Sequence, residues 1–241
     1  MDKKREERIQ RFRLRKTILI MKSTLVIFTL NEIQAAKELF GRIPFDKIDE
    51  SFVVDGGSTD GTVEFFRDKG IAVFRQEIRG HGEAYKFGMK KATGDILVFF
   101  GCDGNNRPED IPVLIEEIKK GYNLVIASRF GKGAHSYDAT LIRKFGNWFF
   151  VSLVNMRWQG NLHDVFNEFR AIKKECMEKM NLRNSFFDLE LEMTIKALKN
   201  KLSIGQVPTV EQYRIGGRAK LSTVRDGLMN LGCFLRESCA R

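Results

Sequence analysis

From Ser23 onward, short apolar runs alternate with longer stretches in which apolar and polar positions recur at helical spacing. The runs Thr24–Leu30, Ser51–Val54, Ile71–Arg75, Ile96–Phe100 and Leu124–Ala127 are short and mainly apolar, which predicts buried strands. Between them, Asn31–Phe40, Thr59–Lys69, Gly82–Ala92 and Pro108–Lys119 predict helices. Strand and helix in strict alternation argue βαβ units and a mainly parallel sheet, hence an α/β fold. Pro108 opens the last of these helices with Glu109 and Asp110 in its first turn, which suits proline geometry and the helix dipole.

The rhythm changes after Phe130. A glycine-rich loop, Gly131 to Ala134, precedes a long apolar helix from about Thr140 to Val154. Phe145, Trp148, Phe149, Phe150 and Leu153 give that helix more apolar surface than one stripe needs. Core packing is the favoured role for that surface, ahead of contact with lipid. A strand over Val165–Ile172, a helix near Phe187–Lys199 and a strand Leu202–Val207 ending at Pro208 complete the body. Leu221, Val224, Leu228, Leu231 and Leu235 then recur at helical spacing. The chain thus divides into a tail (1–22), a main domain (23–222) and a terminal amphipathic helix (223–241).

A chain of 241 residues is long enough for one substantial core. Its 43% apolar and 30% charged content place it among ordinary soluble proteins. The longest apolar stretch, Ile18 to Leu30, is interrupted by Lys22 and Ser23 and falls short of a membrane span. With no signal-peptide pattern, a cytoplasmic location is expected. Met21 is a candidate natural start, since the first strand begins two residues later. Cys102, Cys176, Cys233 and Cys239 are scattered without a CxxC pair, so free thiols are expected rather than zinc or a disulfide framework.

Charge refines this picture. Of a net +10, the first 20 residues hold eight Lys or Arg against three Asp or Glu. The aromatic signatures of RNA-binding modules are missing, so nucleic acid is not the expected partner. An anionic membrane surface or a phosphorylated ligand fits the basic excess better.

Candidate chemistry collects where strands end. After Ile96–Phe100 comes Gly101-Cys102-Asp103-Gly104-Asn105, which puts a carboxylate where α/β sheets bind ligands and where a hard cation would hold a diphosphate. Val54-Asp55-Gly56-Gly57-Ser58-Thr59 is a strand–turn–helix junction of the kind that presents a carboxylate and backbone donors to a nucleotide. Asp55 could reach a base or ribose hydroxyl there. Asn31 and Glu32 end the first strand at the same sheet edge. Arg79-Gly80-His81-Gly82 forms a loop able to approach a ligand, with His81 more ordinary as a loop residue than as a catalyst.

In order and spacing, these segments resemble family-2 inverting glycosyltransferases, specifically the dolichol-phosphate mannosyltransferase and polyprenyl-phosphate glycosyltransferase group. The matching segments are TLNE at 29–32, VVDGGSTDGT at 53–62, GHGEAYKFGMKKATGD at 80–95, Cys102-Asp103 and Ala127-Ser128-Arg129-Phe130. His163-Asp164-Val165-Phe166-Asn167-Glu168-Phe169-Arg170 and the basic loop Arg214 to Lys220 follow. The resemblance implies a GT-A, Rossmann-like fold over roughly Ser23 to Ser222. It implies that Leu30, Glu32 and Val54 line a nucleotide pocket. Asp103 would hold Mg²⁺ or Mn²⁺ on the donor diphosphate, with Cys102 and Asn105 adjoining. Arg129, Arg214 and Lys220 would neutralise phosphates, and Asp164 would sit near the acceptor as a base or as an orienting group.

Three positions depart from that pattern. Gly56 stands in place of a second Asp in the turn, Gly101 in place of the first Asp of the metal motif, and Glu168 in place of a small glycine. A lost charge-assisted contact weakens binding by roughly 1.5–3 kcal/mol. The retained Asp103, Arg129, Asp164, Arg214 and Lys220 favour an altered enzyme over an inactive binding subunit. The expectation is transfer of a sugar from a GDP- or UDP-sugar to a polyprenyl phosphate, with peripheral contact at the cytoplasmic membrane face. A soluble acceptor is the close alternative.

Overall fold

The computed structural model describes residues 21–217 and 222–240. The basic tail over 1–20 and Lys220 of the basic loop, both singled out from the sequence, lie outside the described residues.

In chain order the elements are β1 (Ser23–Thr29), α1 (Ile33–Leu39), β2 (Glu50–Asp55), α2 (Thr62–Asp68), β3 (Ala72–Arg75), α3 (His81–Lys91), β4 (Ile96–Gly101), α4 (Ile111–Lys119) and β5 (Leu124–Ser128). They continue as β6 (His135–Ser136), α5 (Leu141–Trp158), β7 (Arg170–Lys173), α6 (Lys174–Lys179), α7 (Leu189–Lys199), β8 (Ile204–Pro208), β9 (Val210–Glu211) and α8 (Thr223–Cys239). Seven strands form one sheet in the order β3-β2-β1-β4-β7-β5-β8. Every pairing is parallel except those of β7, which runs antiparallel to β4 and β5.

Strands β1 and β4 are buried along their whole length, as their unbroken apolar runs require. Side-chain alternation explains how. Leu25, Ile27, Val98 and Phe100 join the core under α1, α2 and α4, while Val26, Phe28, Leu97 and Phe99 join the core under α3, α6 and α7. A third core unites Phe150, Val151 and Val154 of α5 with Leu191 and Ile195 of α7 and Cys233 of α8. The terminal helix therefore packs onto the body, with Phe234 edge-on to Trp158 at 5.6 Å.

Local chemistry moves several boundaries. Asn31 adopts a left-handed φ of 56°, so α1 starts at Ile33 rather than Asn31. Pro108–Asp110 form a separate 3₁₀ turn ahead of α4. The strand expected over Val165–Ile172 is confined to Arg170–Lys173, because the segment before it is a turn. One Asp164 oxygen accepts from the backbone amides of Phe166 (3.0 Å) and Asn167 (3.2 Å), an Asx-type arrangement that competes with strand pairing. Elements β6, β9 and α6 are too short to leave a period in the sequence.

The apolar excess of α5 is divided. Phe150, Val151 and Val154 face the core, whereas Leu141, Ile142, Phe145, Trp148 and Met156 are each more than 60% exposed. Core packing thus accounts for only one face of that helix. Among the described residues no helix is long and apolar enough to cross a membrane.

Candidate active site

The carboxyl ends of β1 and β4 meet at the switch point of the sheet, where the chain leaves β1 towards one edge and β4 towards the other. Register brings the expected residues together: Thr29 lies opposite Asp55, and Phe28 opposite Gly101. Above this edge opens a cavity of about 570 Å³. Of the residues singled out from sequence, Leu30, Glu32, Val54, Cys102, Asp103, Asn105, Arg129 and Arg214 line it. The edge contributes carboxylates and the surrounding loops contribute arginines.

Asp103 is tied to the loop after β9. Its Oδ2 accepts from Nη1 of Arg214 at 2.7 Å, and its Oδ1 accepts from the Asn105 amide at 3.1 Å. The other end of the Arg214 guanidinium donates to Glu32. Backbone bonds from Ile215 to Asp103 (2.9 Å) and from Gln212 to Asn105 (2.8 Å) fasten the same segments together. One arginine thus bridges the ends of β1 and β4 at the cavity.

Arg129 is held as firmly. Its Nε and Nη2 donate to the two oxygens of Asp164 at 2.7 and 3.0 Å, and its Nη1 donates to Glu211 at 3.1 Å. Burial would lower the guanidinium pKa, but the two carboxylates outweigh it and raise it, so Arg129 is a permanent cation. The pairing of β6 with β9 aligns Ser136 with Glu211 and sets that carboxylate in place.

Two of the expected site residues do not line the cavity. Asp164 is fully buried and does not line the cavity. Its oxygens are taken by Arg129 and the amides of Arg129, Phe166 and Asn167, so it positions Arg129 and is not placed as a base. Burial alone would raise its pKa, but Arg129 and the backbone donors hold it below the usual carboxylate range. Asp55 is likewise 2% exposed and outside the cavity lining. It accepts from the amides of Gly57 (2.8 Å) and Ser58 (2.9 Å), from the Ser58 hydroxyl and from Thr29 Oγ1 (3.3 Å). It shapes the turn and does not reach out to a ribose.

His81, which reads in sequence as an ordinary loop residue, lines the cavity together with Glu190, Glu211 and Arg143, which no sequence motif marks. His81 Nε2 is 2.8 Å from Glu190 Oε1 and 3.3 Å from Glu168 Oε2, and its ring stacks on Phe187 at 4.6 Å. Gly80 and Gly82 permit this. A Cβ at Gly80 would stand 2.1 Å from the Ser185 carbonyl oxygen, and one at Gly82 2.7 Å from that of Asn184. These glycines therefore serve a close approach between the start of α3 and the loop before α7. The signal for Glu190 was three-dimensional: it follows Asp188 in an acidic first turn that reads as an ordinary helix start.

Burial pushes Glu168 up to about 7, partly offset by His81 and reinforced by Asp103 and Glu190. For His81, burial would lower the pKa, but Glu190 and Glu168 raise it. Both groups bind their protons more tightly in the fold than in the unfolded chain. Their contribution to stability is complete below the unfolded values of 4.5 and 6.5 and is lost as pH rises through the folded ones. The depressed carboxylates Asp164 and Glu190 act at lower pH, outside this window. The melting temperature of the ligand-free protein is therefore expected to fall between about pH 5 and pH 8, and to fall less in Glu168→Gln. A flat profile would mean that these two groups titrate as they do in water.

Gly56 also lines the cavity, and there the missing side chain leaves room. The three atoms nearest a Cβ there all belong to the Leu30 side chain, at 3.5 to 3.6 Å, and the backbone is not left-handed. Gly56→Asp is expected to change unfolding free energy by less than about 0.5 kcal/mol. It is expected to tighten nucleoside diphosphate binding by about tenfold, the worth of one charge-assisted contact. Urea unfolding and calorimetry with GDP and UDP check both parts.

The sheet order, its single antiparallel strand and the acidic switch point define a GT-A-like α/β protein. The family model described as glycosyl transferase family 2 matches residues 24–180, and the chain belongs to that family. Among curated relatives, the dolichol-phosphate mannosyltransferase of Pyrococcus furiosus is 31% identical over 83% of this chain and 59% of its own length. Glycosyltransferase AglJ of Haloferax volcanii is 28% identical over 83% of this chain and 66% of its own. The chain thus spans about 59 to 66% of the length of these two relatives. Among solved structures, glucosyl-3-phosphoglycerate synthase from Mycobacterium tuberculosis, in complex with Mn²⁺, UDP-glucose and phosphoglyceric acid, superposes with a TM-score of 0.75. That match has 20% identity and covers 95% of this chain and 83% of the other, so it establishes the fold.

Proposed function

We propose that this chain transfers a sugar, with inversion at C1, from a nucleoside diphosphate sugar to a phosphorylated acceptor, with polyprenyl phosphate the favoured acceptor. The observation that carries this reading is the convergence of Asp103, Arg214, Arg129 and Arg143 on one cavity at the sheet's switch point. In the transfer, an acceptor phosphate oxygen forms a bond to C1 of the sugar while the bond from C1 to the β-phosphate breaks. The nucleoside diphosphate leaves with the electron pair.

Negative charge develops on that leaving group, so fixed cations aimed at it lower the barrier. Arg214, which spans the two strand ends, would follow the diphosphate. A phosphate acceptor is anionic before it reacts and needs no base. That requirement agrees with Asp164 being committed to Arg129.

The donor site fits a divalent cation. Asp103 offers a hard oxygen, and among the described residues no three His, Cys, Asp or Glu side chains form a site of their own. Mg²⁺ and Mn²⁺ at nucleotide sites take one or two carboxylates together with substrate phosphates. Bound there, the ion would neutralise the departing diphosphate.

Lipid preference is supported by α5. Arg143, in its first turn, lines the cavity, while the neighbouring Leu141, Ile142 and Phe145 are exposed. A phosphate held by Arg143 would leave an isoprenoid chain lying along that apolar face. The mannosyltransferase relative's name points the same way. A soluble phosphorylated acceptor is the second reading, favoured by the structural neighbour solved with phosphoglyceric acid.

The test is an assay of GDP- and UDP-sugars with Mn²⁺, offered either a polyprenyl phosphate in detergent or a soluble phosphorylated acceptor. Transfer to the lipid supports the first reading, and transfer to the soluble acceptor alone supports the second. Failure to bind any donor would reject both and leave a binding subunit.

A further inference from the structure

Two of the positions that depart from the family pattern, Gly101 and Glu168, are neighbours in space. A Cβ built on Gly101 would stand 1.8 Å from Oε1 of Glu168 and 2.6 Å from its carboxyl carbon. Gly101 is the last residue of β4, fully buried, with no left-handed φ. Nothing in its backbone calls for glycine. The Glu168 carboxylate calls for it, because that carboxylate occupies the volume a side chain at 101 would need. A side chain at 101 would require the Glu168 carboxylate to leave its present position.

The carboxylate is positioned from several sides. Asn106 Nδ2 donates to its Oε1 at 3.3 Å, and the Tyr85 hydroxyl donates to the Glu168 carbonyl at 2.8 Å, fixing the main chain. Beneath it, the fully buried Arg170 guanidinium donates to the Asn167 carbonyl at 2.9 Å through Nε and to the Glu190 carbonyl at 3.1 Å through Nη1. His81 sits closer to Glu190 (2.8 Å) than to Glu168 (3.3 Å). Glu168 is also 23% exposed at its side chain, whereas Glu190 is 2% exposed. One glutamate is therefore committed to the histidine, and the other faces the cavity beside Asp103.

We propose that Glu168, reaching from the turn before β7 into the space over Gly101, is the second carboxylate of the donor site and acts with Asp103 on a divalent cation carried by the nucleoside diphosphate. This rests on the transferase reading above. It accounts for two substitutions at once: the carboxylate missing from the strand end returns from the facing turn, and the glycine makes room for it. Strand β7 runs antiparallel to β4, with Arg170 opposite Phe99, which brings residue 168 back over the end of β4.

The experiment measures binding of Mn²⁺ with GDP, and separately with UDP, by calorimetry. Wild type is compared with Glu168→Gln, Gly101→Asp and the exchanged pair Gly101→Asp with Glu168→Gly. Glu168→Gln keeps the volume and is expected to weaken Mn²⁺-dependent nucleotide binding by about 10- to 100-fold, as for a group that tunes a metal site. Gly101→Asp alone is expected to weaken it as well, through crowding. The exchanged pair, which restores one carboxylate without the clash, is expected to regain most of the loss. Thermal unfolding without ligand shows which variants are folded, and if either Gly101 variant is not, Glu168→Gln decides alone. Wild-type affinity in Glu168→Gln, or a folded exchanged pair no better than folded Gly101→Asp, overturns the proposal and leaves the transferase reading standing. A wild type that binds neither nucleotide with Mn²⁺ overturns both.

Discussion

Asp103→Asn is expected to lower sugar transfer by about 100- to 1000-fold, the scale seen when one preorganised group that handles developing charge is removed. The side chain keeps its size and can still accept from Arg214, so the fold should persist. What it loses is the negative oxygen at the carboxyl end of β4 that a divalent ion would require. The loss should appear mainly in kcat, because Arg214 and Arg129 remain to hold phosphates. Steady-state kinetics at saturating Mn²⁺, beside a melting curve that matches wild type, checks the prediction. Unchanged turnover would mean that the leaving group is stabilised elsewhere.

For Asp164→Asn the expected damage is to stability. This carboxylate is fully buried, and Arg129 binds it through two nitrogens. Removing one partner of a buried ion pair leaves an uncompensated charge, at a cost of about 3–5 kcal/mol. Glu211 still holds Nη1 of Arg129 at 3.1 Å, which places the expected loss near the lower figure. Chemical denaturation measures this directly. A catalytic base would behave in the opposite way, with kcat lost and stability intact. That outcome would return Asp164 to the role the sequence suggested for it.

These two aspartates show what could be read in advance. Asp103 follows an apolar run broken by glycine, and a carboxylate just past a buried strand has few places to go except the sheet's ligand edge. Asp164 carries the same residue type in an equally recognisable motif. Its role depended on whether Arg129, 35 positions away, would turn towards it. Spacing along a chain does not contain that information. Asp55 fails as a ribose contact for a related reason: its oxygens are satisfied by the turn that its own neighbours form.

The cavity's remaining features were set by approach between distant segments. His81 reads as a loop residue until Gly80 and Gly82 let the loop before α7 close against it. Glu190 reads as a helix start until that closure places it 2.8 Å from the imidazole. The exposed half of α5 was visible as an excess of aromatics, but which of them would face outward followed from how α7 and α8 cover it.

By itself, the sequence determined the alternation of strands and helices, and with it the parallel sheet and the ligand edge. Period and apolar burial are local, and they leave few topologies open. Tertiary structure alone decided which charges pair, because an ion pair is settled by distance across the fold and by what else competes for the same oxygens. Gly101 and Glu168 lie on that boundary: in sequence they are two unrelated departures, and only the antiparallel return of β7 brings them into one volume.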